Sequence, residues 1–222
     1  MLGLVVLSLA ACGARTGLVV PPVDAGPPDV GHDAAIDAPP RCPFGIDDTV
    51  PASLQVSADD QATVFLHGAL LDDTPRLWSD IGRYAITVFR HPSHPNVIAV
   101  RGTNVLRIDG RDRGVLADLR AMTEAGPQTV VTDERWRLTT NDEPGFADVA
   151  HDDGAWLAPT IEGRHPIAPW GAIFGTSDAA WLWSYDSNRS AATKPEHEVV
   201  FVRRRFYFDL GGHVVDDPSP CP

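Results

Sequence analysis

The stretch Val199-Val200-Phe201-Val202-Arg203-Arg204-Arg205-Phe206-Tyr207-Phe208 decides the fold. It is rich in β-branched and aromatic residues, which suit a pleated strand. In an extended chain successive side chains point to opposite faces. Val200, Val202, Phe206 and Phe208 therefore share one face, and Val199, Phe201, Arg203, Arg205 and Tyr207 share the other. Working outward, similar short runs recur at Leu54–Ser57, Ala62–Leu66, Tyr84–Phe89, Asn96–Gly102, Gly114–Leu119, Thr129–Thr132, Trp136–Thr139 and Ala180–Trp183. Each alternates or is wholly apolar, and turn residues separate them. Helical periodicity is scarce, with short helical turns expected only near Pro75–Ile81 and Asp152–Trp156. Many short strands joined by Gly, Pro and Asp turns predict an all-β fold, a jelly-roll β-sandwich.

These strands fill one part of a chain of 222 residues. All six tryptophans lie between Trp78 and Trp183, and residues 42–222 show neither a second linker nor a tandem repeat. That span suffices for one well-buried core. A composition of 43% hydrophobic and 22% charged residues excludes a multi-span membrane protein and a wholly disordered chain. The net charge of −12 argues against nucleic acid or an anionic membrane surface as the main partner, because phosphates would be repelled.

Residues 1–41 read differently. Leu2-Gly3-Leu4-Val5-Val6-Leu7-Ser8-Leu9 is an apolar stretch of signal-peptide length, too short to span a bilayer. Signal peptides usually open on Lys or Arg, and Met1-Leu2-Gly3 carries neither. Leu9-Ala10-Ala11-Cys12 resembles a bacterial lipobox. The resemblance implies a signal peptide over residues 1–11, removed before Cys12, and a diacylglycerol thioether on that cysteine. It implies a cell-envelope lipoprotein of a Gram-negative bacterium. Gly13, where an Asp would favour inner-membrane retention, points to the outer membrane. Two or three acyl chains anchor firmly, since each buried methylene contributes about 0.8 kcal/mol. From Cys12 to Arg41 the chain is rich in Pro, Ala, Gly and Asp, without apolar periodicity, and reads as an extended, disordered tether. With Cys12 taken by lipid, Cys42 and Cys221 bracket the domain in an oxidising compartment, and a disulfide between them is expected.

Inside the domain, Ser57-Ala58-Asp59-Asp60-Gln61-Ala62-Thr63-Val64-Phe65-Leu66-His67-Gly68 resembles a strand–turn–strand of galactose-binding-like jelly rolls. That family carries "ADD" and, further on, "NG"; here His67 stands in place of the Asn. The order continues through Trp78, Asn96–Arg101, Gly114–Ala117, Thr132–Arg137, Pro144-Gly145-Phe146, Asp152–Trp156, Ala180–Ser184 and Val200–Phe206. The resemblance covers most of residues 50–210. It is similar to modules attached to bacterial glycoside hydrolases and cell-surface proteins, and it implies a binding domain, often for carbohydrate, with a structural calcium common among its members.

Candidate chemistry lies in the turn-rich segment Ala150–Gly171. His151, Asp152, Asp153, Trp156 and Trp170 together form a candidate ligand surface. An aromatic face can cover a sugar's apolar side while carboxylates and imidazole meet its hydroxyls, and loops are where sandwich domains usually bind. The competing reading packs each Trp beneath a loop. Trp181 and Trp183, two apart with Leu182 opposite, read as core, as does Trp136. Asp59-Asp60 and Asp152-Asp153 offer oxygens for calcium, although such pairs also bond turn amides. His91 and His94 lack the further ligands zinc needs, and Arg203–Arg205 reads as salt-bridging to an acidic surface. No nucleophile elbow, His-Glu-x-x-His or phosphate loop is present, so no enzyme is expected. A non-catalytic carbohydrate-binding module is expected, the alternative being a structural or assembly domain contacting another envelope protein.

Overall fold

A computed structural model describes residues 42–73, 77–105, 113–184 and 198–221. The expected signal peptide over 1–11, the lipid on Cys12 and the tether to residue 41 lie outside the described residues. The strands are β1 (Thr49–Asp59), β2 (Gln61–Leu66), β3 (Ala69–Asp72), β4 (Gly82–Phe89), β5 (Asn96–Asn104) and β6 (Gly114–Thr123). They continue with β7 (Gly126–Val131), β8 (Arg137–Thr139), β9 (Thr160–Arg164), β10 (Ala180–Trp183), β11 (Glu198–Phe208) and β12 (Val214–Val215). No helix occurs among the described residues.

Two antiparallel sheets face each other as a sandwich. One runs β4-β1-β6-β10-β9, with β7 also on β6; the other runs β12-β11-β5-β2-β3, with β8 also on β11. The chain repeatedly switches sheets, as at β1 to β2 and β5 to β6, which is the jelly-roll pattern. The alternation read in β11 holds: Val200, Val202, Phe206 and Phe208 enter the core, where they meet Ile98 and Val100 of β5 and Leu54 and Val56 of β1. Burying each such side chain stabilises by about 1.5–3 kcal/mol.

Three strands were not expected from the sequence. β3 follows a two-residue turn in which His67 and Gly68 both adopt positive φ, 50° and 84°. That geometry favours Asn-Gly, so His67 masked the hairpin. β9 and β12 are an edge strand of mixed polarity and a two-residue pairing, too weakly patterned to read. The reading of Trp181 and Trp183 on one face is corrected. Ala180 and Leu182 enter the core and Trp181 faces outward, as alternation gives, while Trp183 departs from it and joins the core beside Leu182, next to a register shift in the β9–β10 pairing.

Cys42 and Cys221 are disulfide-bonded with Cα atoms 5.0 Å apart. Closing a loop with a sequence separation of 179 ties the two ends of the domain together.

Candidate functional site

The outer face of each sheet is covered by a loop. On the β11 side, Phe146, Ala147 and Trp156 pack on Ala99 and Phe201. Polar contacts fasten the same loop. Arg203, fully buried, pairs with Asp153 and donates to the carbonyl of Asp148 at 2.8 Å. Arg205 donates to the carbonyls of Val149 and His151, each at 3.0 Å. Burial pulls the Arg203 guanidinium down from its ordinary value, and the Asp153 charge opposes that. On the β6 side, Trp170, Phe174 and Ala179 pack on Leu116 and Trp181. There the packing is mainly aromatic, and fewer polar contacts fasten it: Arg120 of β6 donates to the Thr176 carbonyl and the Phe174 amide donates to His165 Nε2 at 3.2 Å.

The expected ligand surface does not form as one unit. Trp156 and Trp170 are 6% and 4% exposed, and they lie on opposite outer faces of the sandwich. Neither is an aromatic platform, which corrects that expectation. The Trp156 indole donates to Glu143 Oε2 at 3.1 Å, and His151 Nε2 lies 3.2 Å from the same oxygen, off hydrogen-bond geometry. The Trp170 indole donates to Asp59 Oδ2 at 2.9 Å and stacks on Trp181 with centroids 4.3 Å apart. Both large rings leave water, and each N–H finds a carboxylate, as a buried Trp requires. His151, Asp152, Asp153 and Trp156 do share one segment, but Asp153 is engaged by Arg203 and Asp152 accepts from the Gly154 amide at 2.9 Å.

The acidic pairs do not fit a calcium cage. Asp59 receives Trp170, Asp60 Oδ2 receives the Val105 amide at 2.7 Å, and Asp152 and Asp153 are occupied as described. Among the described residues the one convergent trio of metal-ligating types is Cys42, His91 and Cys221, whose sulfurs are already joined to each other.

Open concave surface instead flanks β8. On one side lies a neutral cleft of about 410 Å³, lined by Thr139, Thr140, Asn141, Trp156, Leu157 and Ser184 among others. On the other lies a charged cleft of about 580 Å³, lined by Glu134, Arg137, Arg204, Arg205, Tyr207 and Asp217 among others. Both volumes fall within the range of about 300–1,000 Å³ usual for ligand sites. Leu138 and Leu157 exchange backbone hydrogen bonds of 2.8 and 3.0 Å, which fixes the 153–157 segment beside β8 between the clefts.

One solved structure is similar to part of this chain. It is the Streptomyces avermitilis alpha-L-rhamnosidase complexed with L-rhamnose, at 22% identity and a TM-score of 0.47. The match covers 57% of this chain and 12% of the rhamnosidase chain, so this protein corresponds to a small part of that enzyme's length. No protein-family model and no curated protein matches the chain.

Of the neutral cleft, sequence reasoning had named only Trp156. The missed signal is the polar run Thr139-Thr140-Asn141, which ends a short strand and immediately precedes the loop. For the charged cleft the signal was Arg137, directly across from Arg203 in the ladder.

Proposed function

We propose that the chain is a non-catalytic carbohydrate-binding module, held at a bacterial envelope by lipid on Cys12, whose ligand occupies the neutral cleft beside β8. The observation that carries this reading is the cleft's lining. Thr139, Thr140, Asn141 and Ser184 put hydroxyl and amide groups around an apolar floor of Trp156, Leu138 and Leu157. A sugar ring has the same division, with apolar C–H faces and a polar rim. Leu157 is 57% exposed, so covering it removes apolar surface from water at about 25 cal/mol per Å². Hydroxyl and amide partners then select the ring's stereochemistry.

The test is calorimetric titration of the purified chain with neutral oligosaccharides. Wild type should bind, and Thr140→Ala and Asn141→Ala should each weaken binding about tenfold, equivalent to about 1.4 kcal/mol, with the melting temperature unchanged. Absence of binding by wild type, or equal binding by the variants, would overturn the reading. The anchor is tested separately. Metabolic labelling with a fatty-acid analogue should mark wild type and not Cys12→Ser.

A further inference from the structure

We propose that the Cys42–Cys221 bond is a thiol-exchange site, opened at the Cys42 sulfur by a dithiol reductant while His91 holds the departing Cys221 sulfur. This goes beyond the carbohydrate reading and uses neither cleft. The argument starts from the imidazole. Ser93 donates its backbone amide to His91 Nδ1 at 3.2 Å. A backbone amide can only donate, so Nδ1 accepts, and in the neutral ring the proton sits on Nε2. His91 Nε2 lies 3.8 Å from Cys221 Sγ, so an N–H faces that sulfur. An imidazole nitrogen and the two sulfurs all lie within 4.8 Å of one another. The two ends of the bond therefore differ, and Cys221 is the end with a proton donor.

The bond is also reachable. Cys42, His91 and Cys221 are half-buried, and the adjacent Pro43 and Pro220 are exposed. Neither cysteine belongs to a strand, since β1 opens at Thr49 and β12 closes at Val215. Cleavage thus leaves the pairings of both sheets in place. The leading segment keeps ties of its own: the Arg90 amide donates to the Asp48 carbonyl at 2.7 Å, and the Arg90 guanidinium covers the Phe44 ring at 3.9 Å. The trailing segment keeps Asp216 on Arg204 and the Ser219 amide on the Pro92 carbonyl at 3.3 Å. These contacts hold the two thiols near each other, so the bond can close again.

In the exchange a thiolate of the reductant attacks Cys42 Sγ, forming a mixed disulfide there and expelling the Cys221 sulfur as a thiolate. An N–H facing a sulfur favours its anionic form, and a stabilised thiolate leaves faster. The reductant's second thiolate then attacks the reductant sulfur bound to Cys42, closing the reductant's own disulfide and releasing the Cys42 thiolate. Two electrons pass from the dithiol, which is oxidised, to the protein bond, which is reduced. The two protons of the dithiol end on the two cysteines.

The experiment uses the full, oxidised chain carrying Cys12→Ser, which leaves two of the three cysteines. Glutathione added with iodoacetamide present should be found on Cys42 by peptide mapping, with Cys221 alkylated. With dithiothreitol the rate of reduction should rise in proportion to its concentration, and the sheet signal in circular dichroism should persist once the bond is open. His91→Leu should slow that reduction about tenfold, the effect expected for one hydrogen bond to an ionised group. Glutathione on Cys221, or on both sulfurs equally, overturns the proposal. So does a rate that levels off at the rate of unfolding, or one unchanged in His91→Leu. Should His91→Leu fail to fold, the position of glutathione and the dithiothreitol dependence with His91 intact decide alone.

Discussion

The two outer faces of the sandwich solve the same problem with different chemistry. Each must cover an apolar strip, and each uses a loop carrying one tryptophan. On the β6 face the cover is a plug, with Trp170 stacked on Trp181 and Phe174 and Leu116 beside them. On the β11 face the cover is stapled by Arg203 and Arg205 reaching up from the strand. Both clefts border the stapled loop, which supplies Asp153 to one and Trp156 to the other. The two clefts border the cover that is fastened by more charged groups, and its tryptophan, Trp156, lines one of them.

Substitution can break this contrast, most strongly on the plugged face. Trp181→Ala, at a fully buried ring, should cost about 3–5 kcal/mol in denaturant unfolding. Arg203→Met should cost about 3 kcal/mol, since it leaves Asp153 without its partner, and adding Asp153→Leu should restore part of that loss. A double-mutant cycle on this pair separates charge from packing. Next comes the pair of Trp→Phe changes, which remove only the indole N–H and part of the ring. Trp170→Phe should cost about 1–3 kcal/mol because Asp59 is buried. Trp156→Phe should cost about 1 kcal/mol, because the Glu143 side chain is 34% exposed and recovers water.

The smallest effect is a pH response on the stapled side. Burial lowers the His67 pKa from the ordinary 6.5, and the bond to Asn96 partly opposes it. The unfolded chain therefore takes up a proton at higher pH than the folded one. Stability should fall as pH drops through about 6.5 and level off below the folded value. In His67→Asn, which also suits the positive-φ turn, that part of the pH dependence should vanish from melting curves.

Much of this architecture was legible in the sequence. The period-two pattern of Val199–Phe208 correctly divided core from outer face, because a strand buried in a sandwich leaves few alternatives. The bond between Cys42 and Cys221 followed from compartment and position. What was not legible depended on contacts distant in sequence. Trp183 breaks the alternation of its strand beside a register shift, and no local signal marks such a shift. Asp153 read as part of a ligand surface or as a calcium oxygen, yet Arg203, fifty positions on, claims it. Arg203–Arg205 read as salt-bridging to an acidic surface, whereas Arg203 is buried on Asp153 and Arg205 donates to two loop carbonyls. Strand faces are local properties, whereas clefts form between segments.

The claim that ligand binds along β8 is tested most directly by the two indole N–H resonances in an NMR titration. Both Trp156 and Trp170 are buried, and one borders the neutral cleft while the other sits on the opposite face. Titration of the full chain with a neutral oligosaccharide should shift the Trp156 indole and the amides of Leu138–Asn141, leaving the Trp170 indole unmoved. A shift at Trp170 alone, or no shift at either ring at saturating ligand, would contradict the account.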